Sequence, residues 1–191
     1  PLLLVTSLDH NLYALNPQTG DEYWRLNLGG AAPGNILYDA ERQRVYVGTF
    51  GAGVAAVDLE SASIVARFQT EDWVWGNPAL DDDRLFMGDL GGNLYAVEIG
   101  ENSLAQDWKV NLTTGAIRGT PLVIDDLVIV GAEDGRVYAV NRDNGTGVWE
   151  KNVEGKVLSE LVSVSDEDNG TTLLVALNVT NGEQAWTYTD D

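Results

Sequence analysis

Short runs of branched and aromatic residues alternate with Gly, Asp and Asn along the chain. Residues 45–48, 85–88 and 128–131 each place three apolar side chains directly before a glycine. Short apolar runs separated by turn-forming residues predict β-strands joined by hairpins. No stretch keeps apolar residues at the 3.6-residue period of a helix, so the sequence predicts essentially no helix.

The dominant pattern is a repeat built on Ala, Asn, Gly and Trp. In three copies, Asn follows Ala after two residues, Gly after six and Trp after ten. The three copies are Ala14-Asn16-Gly20-Trp24, Ala139-Asn141-Gly145-Trp149 and Ala176-Asn178-Gly182-Trp186. Self-similarity at a fixed period is the signature of repeat architectures.

Two weaker copies lie between the strong ones. Ala56 has Ala62 and Ala66 where Gly and Trp would fall, and Ala96 reaches Trp108 with two extra residues in the turn. The anchor alanines at 14, 56, 96, 139 and 176 are therefore 42, 40, 43 and 37 residues apart. Each interval accommodates about four short strands.

Four antiparallel strands in a repeat of this length predict the blades of a β-propeller. One four-stranded sheet cannot bury both faces alone, so each blade must stack on its neighbours. A tryptophan at a fixed place can bridge two blades and bury about 150–250 Å². In this arrangement the small Ala leaves room for the indole. The Gly supplies a tight turn with positive φ, and the Asn or Asp accepts hydrogen bonds from turn amides.

The pattern A-x-[DN]-x-x-x-G-x-x-x-W resembles the tryptophan-docking motif of the quinoprotein-type propellers, the PQQ-like repeat superfamily. The likeness extends over nearly the whole chain. The superfamily includes pyrroloquinoline-quinone alcohol dehydrogenases as well as non-catalytic members. The chain is nearest in character to the non-catalytic type, the periplasmic lipoprotein of the outer-membrane β-barrel assembly machine.

The resemblance implies rings of seven or eight blades, whereas 191 residues supply about four and a half. We treat residues 1–191 as a single propeller domain that is incomplete. Residues 3–6 resemble the second strand of a blade, and residues 172–175 run directly into Ala176 with no hairpin turn between them. The chain is a fragment of a longer protein, completes its ring with a second copy, or forms a smaller distorted ring. Either the last blade has lost a turn or residues are missing near 169–176.

Composition excludes several functional classes. The chain has no cysteine, so it forms no disulfide, cysteine-rich zinc site, iron–sulfur cluster or thiol nucleophile. A formal net charge of −19 disfavours nucleic-acid binding, because phosphates would be repelled. No apolar run approaches the 18 residues of a membrane span.

Candidate catalytic and metal-binding residues are few. The single histidine, His10, is predicted to be a turn residue, and no nucleophile is indicated beside it. The acidic runs at 81–83, 125–126 and 166–168 do not fit the spacing of an EF-hand and are predicted to be solvated inter-strand turns. The sequence therefore predicts no catalytic and no metal-binding residue.

The dehydrogenase branch of the resemblance implies a quinone cofactor and Ca²⁺ in the central funnel. It also implies an Asp base and usually a disulfide between adjacent cysteines, which this chain cannot form. No position matches the metal ligands or the base. We therefore expect no cofactor, with PQQ and calcium bound only if the chain is part of such an enzyme.

One segment stands out as a candidate binding site. Residues 70–78 are predicted to connect one blade to the innermost strand of the next, near the mouth of the central channel. Trp73 and Trp75 share the parity of a strand and can present adjacent indoles, with Asp72 and Arg118 nearby. Tryptophan and arginine are enriched at binding hot spots. In the competing interpretation both indoles pack between blades.

The leading functional hypothesis is a non-catalytic, extracytoplasmic propeller that binds other proteins as a scaffold in an envelope or membrane-associated assembly. The alternatives are part of a PQQ/Ca²⁺-dependent dehydrogenase, and a domain that senses a small ligand or sugar at the channel mouth. Four Asn-x-Thr sequons, at Asn111, Asn144, Asn169 and Asn178, favour an extracytoplasmic location.

Overall fold

The computed structural model describes residues 1–51, 53–153, 155–166, 171–177 and 184–189, with side chains described as far as residue 163. Within these ranges the regular secondary structure consists of strands, without a helix. The first two sheets contain β1 (Leu3–Thr6), β2 (Asn11–Leu15), β3 (Glu22–Asn27), β4 (Leu37–Asp39), β5 (Arg44–Thr49), β6 (Gly53–Asp58) and β7 (Ser63–Phe68). The next two contain β8 (Ala79–Asp81), β9 (Arg84–Gly88), β10 (Asn93–Ile99), β11 (Leu104–Asn111), β12 (Leu122–Ile124), β13 (Leu127–Gly131), β14 (Arg136–Asn141) and β15 (Gly147–Asn152). The last contains β16 (Val162–Asp166), β17 (Thr171–Leu177) and β18 (Gln184–Thr189).

The strands form five antiparallel sheets, each built from consecutive strands in chain order. We number these sheets blades 1 to 5: β1–β3, β4–β7, β8–β11, β12–β15 and β16–β18. The predicted all-β propeller of four-stranded blades is confirmed, and within the described part the blades do not close into a ring.

The hydrophobic core lies between the blades rather than within any one of them. Tyr46 and Val54 of blade 2 pack with Leu85 and Met87 of blade 3 in one buried cluster. A second cluster joins blade 3 to blade 4 in the same way, and a third joins blade 1 to blade 2. Blades 2 and 3 therefore each bury both faces against their neighbours, as the stacking argument requires.

The repeat motif fixes the same register in every blade. Each anchor alanine lies directly opposite the motif's tryptophan position on the next strand, and a β-bulge follows each anchor. The five opposed pairs are Ala14–Trp24, Ala56–Ala66, Ala96–Trp108, Ala139–Trp149 and Ala176–Trp186. The two weak copies are thus genuine members of the repeat.

The polar motif position caps the turn that follows it. Asn16 Oδ1 accepts a hydrogen bond from the Gln18 amide at 2.9 Å, and Asn141 Oδ1 accepts one from the Asp143 amide at 3.0 Å. These contacts confirm the predicted role of Asn. The corresponding Asn178 and Gly182 lie outside the described residues.

Trp108 shows how the indole bridges two blades. It is 9% exposed and packs in the cluster shared by blades 3 and 4. Its Nε1 donates to the Arg142 carbonyl at 3.0 Å, and a Cβ placed on Gly145 would lie 2.7 Å from its Cε3. Trp24 likewise packs against the cluster between blades 1 and 2. Trp149 packs against the apolar cluster formed by blade 4 and the segment that follows it, whereas the Trp186 side chain lies outside the described part.

The first and last blades have three strands each. In blade 1, β1 occupies the position of a second strand, as predicted. In blade 5, β16 pairs directly with β17, which carries Ala176, so one strand between the innermost strand and the anchor strand is missing from this sheet. The innermost strand of blade 4 is shorter than the sequence predicted, because β12 begins at Leu122 rather than near residue 119.

Gly145→Ala and Gly20→Ala form a matched pair that tests the docking of the indole. Both glycines have positive φ, 69° and 77°, so either alanine should lose about 1 kcal/mol in backbone strain. At Gly20 no described atom lies within 4 Å of an added Cβ, whereas at Gly145 the Trp108 ring does. We expect urea unfolding to show a further loss of about 1–3 kcal/mol for Gly145→Ala only. Equal losses would contradict the docking account.

Candidate functional site

The segment that connects β7 to β8, residues 69–78, carries both candidate tryptophans. It is not a strand, contrary to the parity argument from sequence, because its backbone makes isolated hydrogen bonds to the end of β5 and to the β9–β10 turn and forms no ladder with a neighbouring strand. The Val74 amide donates to the Thr49 carbonyl at 3.3 Å, and the Leu90 amide donates to the Trp73 carbonyl at 2.9 Å. The segment is therefore held between the end of β5 in blade 2 and the β9–β10 turn of blade 3.

Alternation of side chains nevertheless survives, because Val74 is wedged against a glycine. Val74 is completely buried, and an added Cβ on Gly48 would lie 2.8 Å from its Cγ1. With Val74 facing inward, Trp73 and Trp75 face outward and are 52% and 40% exposed. The interpretation in which both indoles pack between blades does not agree with these exposures.

Phe50, in the β5–β6 turn, joins the two indoles into one surface. Its ring stacks on Trp73 with centroids 4.9 Å apart and an angle of 18°, and it meets Trp75 at 5.3 Å with a tilt of 44°. Each such pair contributes about 0.5–1.5 kcal/mol beyond its buried area. We call Phe50, Trp73, Trp75 and Arg118 the tryptophan surface.

Arg118, in the segment between β11 and β12, lies between the Trp75 ring and the β13–β14 turn of blade 4 and contacts both. Its guanidinium carbon is 4.5 Å from the centroid of the Trp75 ring, within the range of a cation–π interaction. Its Nε donates to Glu133, which also accepts from Lys156 Nζ at 2.7 Å. The hydrogen bond from Lys156 and then that from Arg118 hold the pKa of Glu133 below its ordinary value. Glu133 thereby fixes the guanidinium beside the indole.

The two acidic residues of the segment act on its backbone and on a neighbouring strand. Asp72 Oδ1 accepts from the Trp73 amide at 2.7 Å, and the Asp72 amide donates to Asp89. Glu71 pairs with Lys109 of β11. The described hydrogen bonds of Asp72 thus organise the turn and do not include Arg118, the residue with which it was grouped.

Two clefts adjoin the tryptophan surface. One has a volume of about 510 Å³ and is lined by Trp75, Arg118, Glu133, Lys156 and Leu158. The other, about 240 Å³, runs below Trp75 and Arg118 and is lined mainly by small and polar residues of four successive blade junctions. The tryptophan surface therefore lies at a place where segments from several blades converge.

The other sequence candidates lie in or beside turns between strands. His10 lies in the β1–β2 turn with a φ of 75°. Asp82 and Asp125, with φ of 51° and 49°, lie in the two-residue hairpins β8–β9 and β12–β13, as predicted for solvated turns. Two acids of the first run have a further role between blades, since Asp81 pairs with Arg142 and Asp83 with Arg42. Asp166 ends β16, and residues 167–168 lie outside the described part.

Sequence reasoning missed Phe50 and Glu133. Both lie in the turn between the second and third strands of their blades. Phe50 does not occupy a position of the repeat motif, and from sequence alone Glu133 is indistinguishable from any other acidic residue in a turn. A blade-by-blade alignment of these turns with the junction segments they contact would have pointed to them. Their amides donate in equivalent ways, Phe50 to the Ala31 carbonyl and Glu133 to the Ala116 carbonyl.

Neither a metal-binding cluster nor a membrane-spanning helix is found in the part of the chain that the structure describes. No three His, Asp or Glu side chains there come together as a ligand set. No helix there is long and apolar enough to cross a bilayer.

Comparison with known proteins identifies a family. The family model described as outer membrane protein assembly factor BamB matches residues 8–156 and 105–191. BamB of Escherichia coli K12 is 34% identical over 137 residues, which are 69% of this chain and 32% of that protein. The beta-alanine-activating enzyme of Drosophila melanogaster is 25% identical over 174 residues, 84% of this chain and 16% of that enzyme.

A solved structure gives the same fold. BamB from Moraxella catarrhalis superposes with a TM-score of 0.69 at 16% identity, covering 96% of this chain and 60% of that one. The chain spans about a third of the length of the curated BamB relatives it matches.

Protonation of Glu133 should release Arg118 from Trp75. Because the folded-state pKa of Glu133 is lowered, the stability this contact contributes is present above the unfolded-state pKa and is lost as pH falls through the folded one. We expect a change in tryptophan fluorescence with a midpoint below 4.5, the ordinary glutamate value, and its disappearance in Glu133→Gln. A midpoint at or above that value, or an unchanged titration in Glu133→Gln, would be inconsistent with this arrangement.

Proposed function

The chain belongs to the PQQ-like repeat family described as outer membrane protein assembly factor BamB, and on this premise we propose that it is a non-catalytic protein-binding scaffold. It acts outside the cytoplasm and binds other proteins of an outer-membrane assembly complex through the tryptophan surface. The observation that carries the proposal is the exposure of Trp73 and Trp75, 52% and 40%, on one continuous aromatic surface with Phe50 and Arg118.

An exposed aromatic surface needs a reason in an architecture of stacked sheets that buries its apolar side chains between blades. The repeat already places tryptophans between blades, where Trp108 is 9% exposed. Trp73 and Trp75 lie outside that repeat and leave large apolar areas in water, which is the usual mark of an interaction surface. Tryptophan and arginine together are the residues that most often dominate binding free energies.

The geometry also lowers the entropic cost of binding. Phe50 stacks on Trp73, while Arg118 is held over Trp75 by Glu133. Side chains already fixed in one arrangement lose little freedom when a partner docks. Since each contact involves a different element, the surface is supported by blades 2, 3 and 4 together.

Electrostatics favour a defined orientation of the partner. The chain carries a formal net charge of −19, whereas Arg118, Lys156 and the Glu133 that bonds to both leave one formal positive charge beside Trp75. A positive charge fixed at one place in a negative field favours one orientation of the partner, and the negative field itself discourages non-specific association with acidic proteins.

The proposed extracytoplasmic location is supported by the family. The family description refers to outer-membrane assembly, and the four sequons are compatible with a compartment outside the cytoplasm. The partners we propose are accordingly other subunits of a membrane-associated complex.

Replacing Trp73 or Arg118 by alanine should weaken the capture of complex partners from an envelope extract. Hot-spot truncation costs at least about 2 kcal/mol, so we expect capture to fall by roughly thirtyfold. Tyr23→Ala is the matched control, because Tyr23 is an aromatic residue on β3 that is 55% exposed and lies outside this surface.

Quantitative mass spectrometry of the captured proteins provides the measurement for these variants. A Trp73→Ala protein that folds normally and captures the same partners as the wild type would remove the tryptophan surface from the proposal. A loss caused equally by Tyr23→Ala would have the same effect.

We propose further that the scaffold works without a quinone or calcium. Adding pyrroloquinoline quinone with Ca²⁺ should change neither the absorbance spectrum of the cofactor nor the thermal unfolding midpoint of the protein. Tight stoichiometric binding would raise that midpoint by mass action and would favour the dehydrogenase alternative instead.

A further inference from the structure

We infer that Asp89 and Tyr95 are positioning residues that hold the tryptophan segment, residues 69–78, in its binding conformation. The inference rests on the proposed function, because it concerns the support of the surface through which partners are proposed to bind. Neither residue belongs to the repeat motif, and neither side chain is exposed at the surface itself. Their role is to set where the backbone of residues 71–73 lies.

Asp89 is a buried carboxylate with a full set of donors. It is 0% exposed and lies directly after β9. Its Oδ1 accepts from the Asn93 amide at 2.9 Å, and its Oδ2 accepts from the Tyr95 hydroxyl at 2.8 Å. The Asn93 side-chain amide also donates to both oxygens, at 3.1 and 2.9 Å. A buried charge is tolerated only when hydrogen bonds satisfy it in this way.

The remaining bonds of this pair reach the tryptophan segment. The Asp72 amide donates to Asp89 Oδ2 at 3.2 Å, and the Glu71 amide donates to the Tyr95 hydroxyl at 2.9 Å. The Leu90 amide then donates to the Trp73 carbonyl at 2.9 Å. Three consecutive residues are therefore fixed to the β9–β10 turn and to the third strand of blade 3.

Tyr95 is suited to a permanent rather than a titrating role. It is 1% exposed, and burial raises the pKa of its hydroxyl. The group stays protonated, so it donates to Asp89 and accepts from Glu71 at the same time. The segment is consequently held by a carboxylate–tyrosine relay, in which Asp89 accepts from the Tyr95 hydroxyl and each of the two residues also accepts from a backbone amide of the segment.

A related pair in the next blade provides an internal control. Tyr138 occupies the register position of Tyr95 and donates to Asp134, which also accepts from the Thr113 hydroxyl at 2.6 Å. This pair anchors the junction after blade 3 and makes no described contact with residues 71–73. Tyr138→Phe thus removes an equivalent buried hydroxyl without touching the support of Trp73.

Blade 2 lacks such a pair, since Thr49 and Ala55 occupy the register positions of Asp89 and Tyr95. The segment that leads from blade 1 into blade 2 contains Gly29, Gly30 and Ala31. The carboxylate–tyrosine relay is therefore not needed to build a blade. In blade 3 it coincides with the junction that carries the two exposed indoles.

The test is ¹⁹F NMR of the full chain labelled with 5-fluorotryptophan, in which Trp73→Phe assigns the Trp73 resonance. We expect Tyr95→Phe and Asp89→Asn to move or broaden that resonance and Tyr138→Phe to leave it in place. Folding of each variant is checked by circular dichroism. A Trp73 resonance that is unchanged in Tyr95→Phe, or displaced equally by Tyr138→Phe, would overturn the inference.

Capture of partners from envelope extract separates this inference from the proposed function. Tyr95→Phe removes the hydroxyl that accepts a hydrogen bond from the Glu71 amide. Because one such bond is worth about 1 kcal/mol, the variant should capture about fivefold less partner than the wild type. A displaced Trp73 resonance with undiminished capture would leave the positioning role intact and count against the binding role of the surface. A fixed resonance with reduced capture would contradict the positioning role alone.

Discussion

The structure depends on one kind of contact, in which a bulky side chain of one element fills the space left by a missing Cβ on the neighbouring blade. Trp108 meets Gly145 in this way, and Val74 meets Gly48. The same contact recurs where Ile117 meets Gly88. Because a sheet of three or four strands cannot bury both its faces alone, these contacts decide the spacing and the angle at which successive blades stack. They also explain why the cores lie between blades.

The tryptophan surface is a by-product of this docking. Since Val74 must face Gly48, its two neighbours must face the solvent, and both are tryptophan. The surrounding parts then stabilise that outcome: Phe50 from the blade before, and Arg118 with Glu133 from the blade after. A scaffold that recognises a partner with residues from three blades requires the blades to keep fixed positions. The inter-blade contacts are thus a condition of the proposed function as well as of stability.

The repeat was predictable in detail because its spacing is nearly constant. Ala14 pairs with Trp24, and Ala56 pairs with Ala66 in the same register although the tryptophan is absent there. The region of the candidate site was also predictable, from Trp73 and Trp75 at a blade junction. Phe50 and Glu133 were not, because the turns that carry them have the same length but differ from blade to blade in chemistry. The direction of the two indoles depends on the contact of Val74 with Gly48. That contact joins residues distant in sequence, so the alternation of residues along the segment could not predict which side chains face the solvent.

The most direct test of this account is a double-mutant cycle between Gly88 and Ile117, measured as free energies of unfolding in urea. An added Cβ on Gly88 would lie 2.2 Å from Ile117 Cγ2, and the nearest described atoms all belong to Ile117. Gly88→Ala alone should cost about 1–3 kcal/mol through overpacking, and Ile117→Ala alone about 2–5 kcal/mol through the cavity it leaves. The account predicts that the double variant loses at least about 1 kcal/mol less than the sum, since the new methyl enters the vacated space. Strict additivity would contradict it.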